Sequence, residues 1–410
     1  MNITFLIGNG FDINLGLKTR YTNFYPYYLE KYPEEMIAKF ISQDKNYENW
    51  ADLELGLGDM LEFISKDKSE EFLDSKGVLE ECLTEYLKNQ NVLFEIRNLE
   101  KATEKFKKNI INFSDEFNDE EKEKYKSTIS TYRNEINFSF ITFNYTDALD
   151  RIIEECQKDT NVIGYFKDSN SDTRQMKILK PLHIHGRLDE GMVLGVNDES
   201  QISNESLKSD NDFKDYFIKQ NVLKESGNLN IEKAKKIIDN SNYVCLFGLS
   251  IGDTDSLWWK YLLEWLQKNL NNRLVIYFKE NGNVSFSAQQ ILRKRNDCRK
   301  KFIKQAQCTK DEIIDKVKRR IIIINNSEIF NIPGVVVNSE KNILQEYPYD
   351  YDTRIAVPAV SNSLTELAYA TPKIPEEYIS AHNSGIQLLK EDDEAVVKAK
   401  YIKLPEEKDD

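Results

Sequence analysis

Two of the chain's three histidines, His183 and His185, stand two residues apart in the run PLHIHGRLDEGMVLGVND. In a strand that spacing turns both side chains to one face, as a metal pair would need. No third carboxylate or thiol accompanies them at a metal-binding spacing, however. A histidine at a strand end, just before Gly186, suits a general base near neutral pH. His185 is therefore the candidate catalytic group, and His183, one pleat deeper, reads as a hydrogen-bonded core residue. Asn144 closes another apolar run, ITFNYTDALD, where an amide can orient a sugar hydroxyl or a water; Thr146 or Asp147 would cap the helix that follows.

Two glycine turns complete the set. ITFLIGNGFDINLGLKTRY places Gly8 and Gly10 where a strand hands over to a helix, so that a phosphate or ribose can approach main chain without Cβ atoms, near free N–H groups. Asp12 follows, either as a helix N-cap or as a site residue. CLFGLSIGDTDSLWWKYL repeats the pattern with Gly248, Ser250, Gly252, Asp253 and Asp255, a second turn that could hold the far end of an extended nucleotide and offer a carboxylate to its ribose hydroxyls. Gly248-Leu249-Ser250-Ile251-Gly252 also fits the G-x-S-x-G of a hydrolase nucleophile elbow. That reading needs a downstream acid and then a histidine, and the one histidine downstream, His382, lies in an irregular tail.

These residues need a sheet to gather them. Short apolar runs at 2–8, 138–144, 181–186, 243–250, 273–278 and 320–326 are continuous rather than alternating, as in parallel strands covered on both faces. The pattern predicts a doubly wound α/β core over 1–345. A helical insertion over about 25–134 and a smaller helical excursion over about 199–240 interrupt it. Residues 346–410, rich in Pro, Ser, Thr and Tyr, read as an arm or tail, with EAVVKAKYIKL as a candidate edge strand.

Composition narrows the function. A net charge of −13, from 69 acidic against 56 basic residues, argues against a protein that grips nucleic acid by neutralising phosphates. Five cysteines without a CxxC pair, and no opening leader pattern, lead us to expect a reduced, cytoplasmic protein. No apolar run reaches the roughly 18 residues of a membrane span.

As an ordered set, these stretches resemble the bacteriophage abortive infection AbiH family, and more remotely the sirtuin-type, Rossmann-like NAD-binding fold. The matching residues are Gly8-Asn9-Gly10-Phe11-Asp12, Gly16-Leu17, Thr19, Tyr21 and Phe24, then Trp50, Asp52, Leu53 and Glu54. Thr142 to Thr146, His183 to Gly186, and Gly248 to Gly252 with Asp255 complete them. The likeness covers about residues 1–330. It departs from sirtuins in lacking a cysteine zinc module, and from its AbiH pattern in carrying Leu249 where a histidine precedes the serine.

The resemblance implies a phage-defence hydrolase that cleaves the nicotinamide–ribose bond of NAD, with NAD as substrate or ligand and no further cofactor or metal. It implies catalytic roles for Asn144, His185 and Asp12, and nucleotide contacts from Gly8, Asn9, Gly10, Phe11, Thr19, Tyr21, Gly248, Ser250, Asp253 and Asp255. Two alternatives stand beside it: a nucleotide sensor for NAD or ADP-ribose that signals through a partner, and a metal-dependent nuclease built on Asp253, Asp255 and His183. Insert and tail are candidate surfaces for a homo-oligomer, a phage-derived trigger or a partner defence protein.

Overall fold

Residues 1–43, 52–280 and 287–338 are described by a computed structural model, in which the apolar runs become the strands of one sheet. Ten strands form: β1 (Asn2–Ile7), β2 (Phe94–Ile96), β3 (Ile136–Thr142), β4 (Val162–Lys167), β5 (Thr173–Ile178), β6 (Leu182–His183), β7 (Tyr243–Phe247), β8 (Arg273–Phe278), β9 (Ile321–Asn325) and β10 (Val335–Val337). The main sheet runs β4-β5-β3-β1-β7-β8-β9, with β6 also on β3. Its pairs are parallel except the antiparallel β4–β5. The chain builds outward from β1 to β3 and its neighbours, then returns across β1 to lay down β7, β8 and β9. At such a reversal the loops at the strands' carboxyl ends part and leave room for a ligand.

Burial on both faces explains the continuous apolarity. Along β1, Ile3, Phe5 and Ile7 join one core with Phe113, Phe138, Phe140 and Phe330, while Leu6 points into a second with Ile141, Leu246, Trp259, Trp265 and Phe302. Phe5 stacks on Phe140 at 5.4 Å between ring centres. Strands β4 and β5 escaped the pattern because they form a half-covered edge; Tyr165 of β4 is exposed and β5 reads TRQMKI. The strand expected over 181–186 shortens to β6, since Gly186 turns the chain at a φ of 82°.

Helices Tyr21–Lys31, Met36–Gln43, Leu53–Met60, Ser69–Leu93, Leu99–Ile111 and Asp119–Thr131 fill the stretch between β1 and β3. It also carries β2, which pairs with β10 in a small antiparallel sheet. A third core joins Phe24, Tyr28, Leu57, Phe72 and Leu79 of this insert to Leu194, Phe213 and Phe217, which follow β6. Two excursions far apart in sequence thus pack as one helical unit. Among the described residues, no helix is long and apolar enough to cross a membrane. Trp50, the tail 346–410 and its candidate edge strand lie outside the described residues.

Candidate functional site

At the carboxyl ends of β1 and β3, Asp12 and Asn144 meet. The Asn144 Nδ2 donates to Asp12 Oδ1 at 3.0 Å, and the Thr146 hydroxyl donates to Asp12 Oδ2 at 2.5 Å. Asp12 therefore does not cap its own helix, and Thr146 reaches across to the helix Gly10–Leu15 after β1 rather than capping the helix Ala148–Gln157. Asp12 is 2% exposed, and burial pushes its carboxyl up to about 7, although the bonds from Thr146 and Asn144 and the charge of His183 pull it down. The Asn144 Oδ1 is buried without a hydrogen-bond partner.

His183 holds this corner from below. Its Nδ1 lies 2.9 Å from the Asn144 carbonyl and its Nε2 2.8 Å from Asp150 Oδ2, while Arg187 donates to Asp150 Oδ1 at 3.1 Å. Both ring nitrogens face oxygen acceptors, so both bonds form when both nitrogens carry protons. His185 differs. Its ring lies edge-on to Phe143 at 5.5 Å and tilted to Tyr145 at 6.4 Å, and its buried Nδ1 has no partner. Burial, and then the charge of Lys219, hold its pKa well below the usual imidazole value, so it is neutral at physiological pH.

A second buried polar group lies in the helical unit, near enough to His185 for a charge in it to act on that ring. Glu54 Oε2 accepts from Lys219 Nζ at 2.6 Å, and both side chains are buried. Burial pushes the Glu54 carboxyl up to about 7, against the pull of Lys219. Burial opposes the Lys219 charge, but the carboxylates of Glu54, Asp255 and Asp52 outweigh it and leave its pKa raised. Asp255 is likewise raised by burial, with Lys219 opposing. Tyr145 is anchored through its hydroxyl to the Val193 carbonyl at 3.0 Å. Tyr21 and Tyr145 are both pushed well above the usual phenol range, by burial first and then by Glu54. Lys219 escaped the sequence reading, since no local pattern marks a lysine whose partner is 165 residues away. Glu54 was visible only as part of a family motif.

The remaining candidates have other positions. A Cβ on Gly10 would lie 2.5 Å from the Cα of Gly248, and one on Gly8 would lie 2.7 Å from the Gly248 carbonyl oxygen. The glycines thus let two turns cross in direct contact, and the amides of Gly8, Gly10 and Phe11 donate to Phe247, Gly248 and Gly8 carbonyls. Asn9 and Thr19 bond each other, with Asn9 Nδ2 donating to the Thr19 carbonyl at 2.8 Å. Phe11 is core, edge-on to Phe330 at 5.3 Å. Ser250 and Asp253 are exposed on the rim, where their carbonyls accept from Lys301 and Gln201. The non-glycine residue held at positive φ in that turn is Ile251, at 48°, rather than Ser250, so the strained serine of a nucleophile elbow is missing. Among the described residues no group of three His, Cys, Asp or Glu side chains is arranged to hold a metal ion.

The site is closed. Asn144 and His185 expose 7% and 8% of their surface. A groove of about 680 Å³ opens instead at the amino ends of β1, β3 and β5, near Asn2, Asn137 and Arg174.

The fold and site thus define a mixed α/β protein with a mostly parallel central sheet, whose carboxyl edge buries an Asp–Asn–Thr cluster and a neutral histidine under a helical unit. The chain belongs to the bacteriophage abortive infection AbiH family, whose model matches residues 4–278, from β1 to the end of β8. That membership makes it a phage-defence protein of the abortive-infection kind. Among curated proteins none matches the chain.

Proposed function

We propose that the protein binds NAD at the carboxyl edge of its sheet and hydrolyses the nicotinamide–ribose bond, depleting the dinucleotide of an infected cell. The mostly parallel sheet is extended first on one side of β1 and then on the other, and a crevice at the carboxyl ends of strands flanking such a reversal is where open α/β sheets bind ligands, which supports a nucleotide ligand. The observation that carries the reading is the pair of unpartnered polar atoms at that edge, Asn144 Oδ1 and His185 Nδ1. Burying such an atom unpaired costs about 1–3 kcal/mol, so each awaits a donor, and ribose hydroxyls or water supply donors.

In this reading Asn144, steered by Asp12, orients the ribose or the attacking water. Neutral His185 accepts a hydrogen bond. Asp12 steadies the positive charge that develops on the sugar as nicotinamide leaves. Gly8, Gly10 and Gly248 shape the floor of the dinucleotide site. Entry requires the helical unit to part from the sheet edge, which keeps a self-toxic activity off in the cytoplasm until a phage-derived trigger, a partner protein or self-association acts on that unit.

The test is nicotinamide release from NAD by the purified chain, alone and with lysate of phage-infected cells. His185→Ala and Asn144→Ala should each lower turnover by about 10²-fold or more with the fold retained. Wild type that never releases nicotinamide refutes the hydrolase. The closed site favours one second reading, a sensor that binds ADP-ribose or NAD without cleaving it. Calorimetric binding with no product identifies that case.

A further inference from the structure

The Glu54–Lys219 pair needs an explanation that packing does not give. A buried ion pair often stabilises less than apolar residues of the same volume, because both charges must leave water. Here the backbone is shaped to deliver it. Asp52 caps the helix Leu53–Met60, its Oδ1 accepting from the Leu55 amide at 3.3 Å, and so fixes Glu54 in the first turn. One turn on, Gly58 lets the segment 196–203 close in, since a Cβ there would stand 2.2 Å from the Gln201 carbonyl oxygen. That segment holds Lys219, whose amide donates to the Val196 carbonyl at 2.9 Å. More than one carboxyl bears on the lysine: besides its bond to Glu54, the charges of Asp255 and Asp52 act on it. Two of the buried polar groups left without partners belong to its surroundings. The Thr254 hydroxyl beside Asp255 and the His185 Nδ1 are both more than nine-tenths buried and unbonded, and Lys219 is near enough for its charge to act on His185.

We propose that Glu54, held by Lys219, is the general base of the site, and that the helical unit therefore supplies a catalytic group rather than only a cover. The proposal rests on the hydrolase reading above and replaces His185 in the proton-accepting role. In the step, the water oxygen forms a bond to the ribose C1′ while the C1′–N bond breaks. The bonding pair goes to the pyridine nitrogen, nicotinamide leaves neutral, and the Glu54 carboxylate takes the proton of the water. Lys219 orients that carboxylate and keeps it available, acting as a positioning residue, while Asp255 faces the ribose hydroxyls. A carboxyl near 7 matches this work at physiological pH, whereas an imidazole far below its usual range is a weak base.

The experiment compares the full chain with Glu54→Gln and with the double variant Glu54→Leu/Lys219→Met, which replaces the pair by apolar side chains of similar size. Nicotinamide release is followed from pH 5.5 to 8.5, and ADP-ribose binding by calorimetry. Glu54→Gln should bind ADP-ribose within about threefold of wild type and lose about 10²–10⁴-fold in kcat, together with the pH limb near neutrality. The double variant should melt at or above wild type yet stay inactive; a purely structural pair would regain activity there. Either variant with wild-type kcat and pH profile overturns the proposal. Wild type that binds ADP-ribose but releases no nicotinamide, alone or with infected-cell lysate, overturns the hydrolase and the base assignment together. An active wild type with an active Glu54→Gln overturns the base assignment alone.

Discussion

Replacing Asp12 by Asn removes a charge and almost nothing else. The side chains have the same shape, the Asn144 amide can still donate to the remaining oxygen, and the Thr146 hydroxyl can rotate to accept from the new amide. In the folded protein the Asp12 carboxyl is raised from 3.8 to about 7, by burial above all. A raised carboxyl stabilises the fold fully only below its unfolded value, near pH 4; as pH climbs to about 7 the unfolded chain gives up the proton first and stability falls. Over the whole window the shift corresponds to about 4 kcal/mol, and by pH 5 only about 1.5 kcal/mol of it has accrued. The advantage of Asp12→Asn over wild type, from urea unfolding midpoints, should therefore be small at pH 5 and grow by about 2–3 kcal/mol at pH 8. If Asp12 also steadies charge on the sugar, the stabilised variant will be less active. An advantage that stays flat from pH 5 to pH 8 refutes the reasoning, because it would mean that Asp12 carries the same charge in both states.

Two further substitutions probe the supports of the site. Gly10→Ala should destabilise by more than about 3 kcal/mol or prevent folding, because its Cβ meets the Gly248 Cα at 2.5 Å and backbone cannot yield as a side chain does; expression and thermal melting check this, and a stable Gly10→Ala would mean the turns can part. Phe217→Ala should cost about 3–5 kcal/mol, since Phe217 packs edge-on to Phe72 at 5.7 Å between insert and excursion. Its loss should loosen the helical unit before the sheet, seen as faster amide exchange at 53–87 and 205–225 with β1 and β7 still protected; uniform loss of protection would contradict a helical core separable from those of the sheet.

How much of this was readable from sequence depends on how local the cause is. Strands β1, β3, β7, β8 and β9 announce themselves because both faces are buried and most positions are apolar. Strands β4 and β5 do not, because an edge hairpin with Tyr165 in solvent has no such requirement. Asn144 and His185 could be picked out because each breaks an apolar run near a strand end, and Asp12 because it follows the glycine turn after one. The glycines of the first turn were legible as a demand for closeness, but not what comes close: the answer is another glycine turn, Gly248. Phe11 and Thr19 match a family pattern for reasons of packing, one in the aromatic core and the other tied to Asn9. Lys219 was out of reach, since its burial is created by Glu54 on a different excursion.

That distance bears on how such a protein is restrained. Asp12, Asn144 and His185 hang from the sheet, but Glu54 and Lys219 hang from two excursions that meet only in the helical unit. Their shared core, around Phe72, Leu79, Phe213 and Phe217, is separate from the two cores that cover the sheet. A shift of the unit would therefore move one half of the polar site relative to the other without unfolding the sheet. If the ligand is the proposed dinucleotide, residues buried at 2–8% exposure meet it only after such a shift. Under the proposed hydrolase reading, one packing interface would control both access and assembly, and a partner that binds the helical unit would set both at once.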